Sequence, residues 1–208
     1  MGSIRVEDGY LSLFNIFHIE GAPGQDRLFE TFRGLPPAKV QPGLVSGNIH
    51  RGTDGRSVLN YAQWESQAAY DAFRAETATK GRLDQALTFS RMDSVATEVV
   101  HTWQPAPRLS VDDGLLTAVV LITTTPEHQA EVLKELVQDD PALADTPGFV
   151  SDAVHRGLSG EHVVKYAQWE DEAAFRSYLG KQRSPSAVEY LISVEIHLSR
   201  LEYVRGRS

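Results

Sequence analysis

Arg56-Ser57-Val58-Leu59-Asn60-Tyr61-Ala62-Gln63-Trp64-Glu65 returns as Glu161-His162-Val163-Val164-Lys165-Tyr166-Ala167-Gln168-Trp169-Glu170, an offset of 105 residues. The offset holds without a gap on both sides. Pro42-Gly43 falls on Pro147-Gly148, His50-Arg51-Gly52 on His155-Arg156-Gly157, Gly55 on Gly160, and Ala68-Ala69 on Ala173-Ala174. About half of positions 42–73 are identical to their partners at 147–178. A period this long marks a duplicated small domain rather than a solenoid unit.

Each copy reads in the same order. Gly9–Glu20 and Gly114–Thr125 are rich in β-branched and aromatic residues and predict strands. Gln25–Leu35 sets Leu28, Phe29, Phe32 and Leu35 on one helical face, and Pro126–Val137 carries Val132, Leu133, Leu136 and Val137. Pro42-Gly43 and Pro147-Gly148 mark turns. Strands follow at Leu44–Arg51 and Ser57–Glu65, joined by a hairpin at Asp54-Gly55, with Ser159-Gly160 at the matching place. Ser66 and Asp171 are suited to cap helices at Gln67–Ala75 and Glu172–Leu179. Shorter helical pieces are predicted at Arg82–Leu87 and Ser186–Leu191. Final strands fall near Val95–Trp103 and Ser193–Val204.

This β-α-β-β-α-β order is the ferredoxin-like unit: an antiparallel sheet with helices on one face. The bare face must be covered. The expected fold is therefore α+β, with two tandem ferredoxin-like domains packed sheet to sheet as a barrel within one chain. The domains are placed at 1–104 and 114–208, with a linker at 105–113 that contains Pro105-Ala106-Pro107-Arg108.

Composition agrees and removes several function classes. The chain has 208 residues, 41% hydrophobic and 23% charged, which suits one large or two small globular domains. Its 20 Lys plus Arg against 28 Asp plus Glu give a net charge of −8, which disfavours nucleic-acid binding. The absence of cysteine removes disulfides, thiolate nucleophiles and Cys-based metal sites. The first residues, Met1 to Asp8, lack a signal-peptide core, and no apolar run reaches membrane-spanning length. The expectation is a cytoplasmic protein without a membrane segment. No G-x-G-x-x-G follows a strand and no P-loop occurs, so nucleotide cofactors lack support. His18, His101, His128, His162 and His197 are scattered without metal-ligand spacing, so no metal is expected.

The stretch Asn60-Tyr61-Ala62-Gln63-Trp64-Glu65-Ser66, followed by Ala69-Tyr70 and preceded by Thr53-Asp54-Gly55, resembles the antibiotic biosynthesis monooxygenase family. Within it the likeness is to the small anthrone monooxygenases of aromatic polyketide pathways, such as that of actinorhodin biosynthesis. The resemblance implies a dimeric α+β barrel with pockets between sheet and helices. It also implies oxygen insertion into an electron-rich phenolic ring system without flavin, metal or haem. The implied partners are a small aromatic substrate and O₂, and self-association as a homodimer stays open. Haem-degrading relatives use a histidine on the second helix, and residues 66–90 contain none.

The implied pocket residues map onto Asn60, Trp64 and Tyr70, and a tyrosine of the preceding strand corresponds to His50. An arginine late in the second helix is replaced by Asp84, with Arg82 nearby. Strand alternation puts Val58, Asn60, Ala62 and Trp64 on one face and Leu59, Tyr61 and Gln63 on the other. Trp64 and Tyr70 also read as packing residues between helix and sheet. Asn60 on that apolar face is less ordinary, because a buried amide needs partners. His50, kept in both halves with a following Arg-Gly, reads either as a structural turn element or as a general base. Asn60 and Tyr70 become Lys165 and Phe175, so a single intact site is expected in the N-terminal half, and the second half reads either as a scaffold or as a different site in which Lys165 is a cation or a base. A polyketide cyclase or isomerase on the same barrel, and a non-catalytic ligand-binding protein, are the alternatives.

Overall fold

The computed structural model describes residues 2–36, 41–138, 143, 145–181 and 189–206. A two-residue strand β1 (Gly2–Ser3) and a 3-10 turn (Val6–Asp8) precede the first unit. That unit runs β2 (Leu11–His18), α1 (Gly21–Arg33), β3 (Leu44–Gly52), β4 (Ser57–Trp64), α2 (Gln67–Ala75), α3 (Thr77–Leu87) and β5 (Arg91–Thr102). After β6 (Arg108–Leu109) the second runs β7 (Leu116–Thr123), α4 (Gln129–Leu136), β8 (Phe149–Gly157), β9 (His162–Trp169), α5 (Glu172–Leu179) and β10 (Ser193–Gly206).

Within each half the strand order, β3-β4-β2-β5 and β8-β9-β7-β10, is the ferredoxin-like one. The halves also pair edge to edge, β5 with β8 and β10 with β3. The result is a closed eight-stranded barrel. Pairing across the halves went unread in the sequence. Its cause is length: β5 has 12 residues and β10 has 14, against 8 or 9 in the other barrel strands. The overhang reaches the neighbouring half, and closure leaves no bare edge.

Helix α1 begins four residues before the expected Gln25. Leu28, Phe29 and Phe32 are buried on its inner face, and Leu35 is buried just beyond its end. The Gln25 side-chain N–H groups donate to the carbonyls of Gly52 and Ser57, both at 2.9 Å, and so tie the helix to the β3–β4 hairpin. Gln129 repeats the device on Gly157 and His162. Ser66 and Asp171 cap α2 and α5 by accepting from the backbone N–H of Ala69 and Ala174. The expected Arg82–Leu87 piece is the end of the longer α3, whereas residues 186–188 of the expected Ser186–Leu191 piece lie outside the described residues.

Two apolar layers result. Phe14, Ile16, Leu59, Tyr61, Val119, Leu121, Val164 and Tyr166 fill the barrel between the two sheets. Ile4 and Leu109, beside the β1–β6 pair, are fully buried in that layer and plug one end. The outer faces of the sheets carry the helices. Phe17, Ile49 and Val58 meet Leu28, Phe29 and Phe32, and Leu13, Ala62 and Trp64 meet Ala69, Tyr70 and Phe73.

Candidate active site

Between the outer face of the N-terminal sheet and helices α1 to α3 lies a cavity of ≈ 940 Å³, its open mouth included. Its floor is laid by alternate residues of adjacent strands: Leu13, Asn15 and Phe17 of β2, Gly47 and Ile49 of β3, and Asn60, Ala62 and Trp64 of β4. Tyr70 and Phe73 of α2 and Leu83, Asp84 and Leu87 of α3 form the roof. Its walls are mostly apolar, so water held there is easily exchanged for a flat apolar ligand.

Three of the four residues singled out in the sequence meet here. Trp64 is buried, and its ring centroid lies 5.6 Å from that of Tyr70 and 4.8 Å from that of Phe73. Among the described residues, neither the Trp64 indole N–H nor Asn60 Oδ1, both buried, has a hydrogen-bond partner. The Tyr70 hydroxyl accepts a long bond, 3.5 Å, from Arg74 Nη1.

His50 stands elsewhere. It pairs in register with Leu59, not with Asn60, and so points into the barrel interior, where it is fully buried. Its Nδ1–H donates to the Asn48 carbonyl at 3.1 Å, which leaves Nε2 to accept from the Tyr166 hydroxyl at 3.0 Å. Burial lowers its pKa to about 4. The sheet separates it from the cavity, so the structure does not bring it to the site as a base. Nor is it a turn element. The Tyr61 hydroxyl lies 3.2 Å from His155 Nε2, so each histidine meets the tyrosine of the opposite half. Much of the repeated motif thus builds the interface between the halves. Gln63 and Gln168 accept from Ser46 and Ser151 within their own halves and donate to the carbonyls of Ser3 and Arg108, which ties the β1–β6 pair to the barrel.

Among the polar lining residues that sequence reasoning missed are Asn15 and Arg205. Asn15 opposes Asn60 across the β2–β4 ladder and accepts from the Ser94 hydroxyl at 2.7 Å. One polar residue among Leu13 and Phe17 on a shared face was the available signal. Arg205, from β10 of the other half, also lines the cavity.

The equivalent place in the C-terminal half is differently built. Gly47 becomes Asp152, whose carboxylate accepts from Lys165 Nζ at 2.6 Å. Phe175 replaces Tyr70 and packs on Trp169, with ring centroids 5.6 Å apart. The Trp169 N–H is also unpartnered, so an unpaired indole alone does not distinguish the halves, whereas the Asn60 amide does.

The family model for antibiotic biosynthesis monooxygenases matches residues 115–189, in the half whose pocket residues have changed. Tetracenomycin-F1 monooxygenase of Streptomyces glaucescens is 38% identical over 87 residues, spanning 41% of this chain and 78% of that protein. Among solved structures, an anthrone oxidase-like protein superposes with a TM-score of 0.87 at 23% identity, over 98% of this chain and 96% of that one. A chlorite dismutase from Candidatus Nitrospira defluvii gives 0.57 at 10% identity, over 94% and 92%. At such identities the superpositions establish the barrel and leave the chemistry to the pocket. An identity of 38% across most of a relative's length, together with the family model's match, makes this chain a member of the antibiotic biosynthesis monooxygenase family and an oxidoreductase.

Proposed function

We propose that the N-terminal cavity oxidises a polycyclic phenolic ring system, of the anthrone type, with O₂ and without a bound cofactor. The observation that carries this reading is the Asn60 carboxamide: a buried acceptor without a protein partner, beside the equally unpartnered Trp64 N–H, in an otherwise apolar slot. Leaving such groups unpaired costs about 1–3 kcal/mol each. A ring bearing a hydroxyl next to a carbonyl would offer Asn60 a donor and Trp64 an acceptor. The relative named for tetracenomycin F1 supports a substrate of this class.

Loss of a proton from the benzylic carbon gives an enolate whose negative oxygen the site's N–H donors stabilise. Asp84, on the cavity wall, is the carboxylate placed to help that proton leave. One electron passes to O₂, and the resulting radicals combine to a peroxide. Loss of the second benzylic proton breaks the O–O bond. The methylene becomes a carbonyl and the other oxygen leaves as water. The protein supplies desolvation and orientation.

Oxygen uptake with 1,8-dihydroxyanthrone tests this. The expected result is one O₂ consumed per quinone formed, by colourless protein without added flavin or metal. No uptake above the spontaneous rate, or dependence on an added cofactor, would overturn it. Cyclisation without oxygen would identify a cyclase on the same barrel.

A further inference from the structure

Arg205 crosses from one half of the molecule to the other. It sits on the last strand of the C-terminal unit, pairs in register with Gly47, and lines the N-terminal cavity. The residue is only 8% exposed. Its guanidinium donates to two neutral acceptors, the Pro36 carbonyl and Gln41 Oε1, the latter at 3.0 Å. Arg51, by contrast, meets the carboxylates of Asp26 and Glu202, both at 2.9 Å. Among the described residues no carboxylate lies within ion-pair distance of Arg205.

A buried cation with only neutral partners is costly, and an anion arriving beside it gains accordingly. The other half shows what a built-in counterion looks like, because there Asp152 occupies the place of Gly47 and neutralises Lys165. At Gly47 that carboxylate is missing. The other charged lining residues are Arg74, Lys80 and Asp84, so three cations face one carboxylate in a chain whose net charge is −8.

We propose that Arg205 is a specificity-determining residue that seats an oxyanion of the aromatic ligand, a carboxylate or an ionised phenol on the ring system. This rests on the reading of the cavity as an aromatic site. The anion lies against the Arg205 guanidinium while the ring fills the slot toward Asn60 and Trp64. Arginine suits the role, since its planar fork matches a carboxylate with two parallel bonds.

The test is equilibrium binding, which needs no turnover. Anthraquinone-2-carboxylate, its methyl ester and 2-hydroxyanthraquinone are titrated against the protein, following tryptophan fluorescence. The carboxylate is expected to bind at least about tenfold more tightly than the ester. A seat for ionised phenol shows as tightening of the hydroxy compound as pH rises through its ionisation. Arg205→Gln should bring carboxylate and ester within about twofold, and Arg205→Lys should restore part of the gap. Equal binding of carboxylate and ester by the unmodified protein, which requires no variant to fold, overturns the proposal unless the ionised phenol shows the preference. A preference that survives in folded Arg205→Gln overturns it too. If none of the three compounds binds, this proposal and the aromatic site fall together. If discrimination is present but oxygen uptake is absent, the oxygenase reading fails and the anion seat stands.

Discussion

Lys165 Nζ lies 2.6 Å from Asp152 Oδ2, at the two positions that in the other half are Asn60 and Gly47. The Asp152 side chain is only 4% exposed. One half therefore closes its slot with an ion pair and the other leaves it open with an amide. Asn60→Ala is expected to lower turnover at least ~10-fold, about 1.4 kcal/mol of transition-state stabilisation. Lys165→Ala should leave turnover within about threefold while costing about 3–5 kcal/mol in stability, because it strands a buried carboxylate. Steady-state rates and urea unfolding of both variants check this. A folded Asn60→Ala protein of full activity beside an inactive Lys165→Ala would move the site to the C-terminal half.

Gly47→Asp copies the closed half into the open one. A Cβ at Gly47 meets nothing closer than Arg205 Cβ at 3.8 Å, so the substitution fits without collision. The new carboxylate would face the Arg205 guanidinium. The expected variant is folded, within about 1 kcal/mol of the parent in stability, and at least ~10-fold slower. Melting temperature and oxygen uptake read the two effects separately. Unchanged turnover would show that this end of the cavity is not used.

Acid should unfold the barrel through its interior. Burial lowers His50 to about 4 and His155 to about 3, against 6.5 unfolded. Below 6.5 the unfolded chain takes up protons that the native barrel refuses. The stability held above 6.5 is therefore lost progressively as pH falls toward 4 and then 3, on the order of 3 kcal/mol per histidine. His50→Gln should shift the unfolding midpoint to lower pH while leaving kcat within about threefold, since residue 50 faces away from the cavity. Circular dichroism against pH, beside rates at neutral pH, tests both. A large fall in kcat in a folded variant would return His50 to the mechanism.

Gly43 has φ +80°, and a Cβ there would stand 2.2 Å from Ala69 Cβ on α2. Its carbonyl also accepts from the Glu65 backbone N–H at 2.8 Å. Gly43→Ala must push away the helix that carries Tyr70, at an expected cost of about 3 kcal/mol or more. Gly55 has φ +72° but open space around it, so Gly55→Ala should cost only about 1–2 kcal/mol. Thermal melts of the two single variants should separate by several degrees.

The duplication was legible because the motif repeats without a gap, and the motif is dense because it serves both surfaces of β4 and β9. Alternation then assigned Asn60 and Trp64 correctly to the helix side. It gave no phase for His50, whose place in the site came from the resemblance, because β3 is buried on both faces. Ile49 and His50 are equally hidden, so no polar-apolar rhythm gives the phase. Arg205 was unreadable for a different reason. The ladder shifts by one residue between Leu201 and Tyr203, a bulge that changes which face the following residues take. Its neighbour Gly47 belongs to the other repeat, so no local pattern joins them.

The bond between β10 and β3 has a further consequence. In a symmetric pair of separate chains, a glycine exchanged for aspartate appears in both pockets at once, and an arginine placed on the last strand appears twice. Covalent fusion releases the two copies from that coupling. Position 205 can hold an arginine while the matching register position on the other side, beside Asp152, is taken by Trp103, whose backbone N–H donates to the Asp152 carbonyl at 2.9 Å. The molecule can then specialise one cleft for its ligand and give over the other to holding the scaffold together, a division of labour that a homodimer of identical halves could not reach by substitution alone.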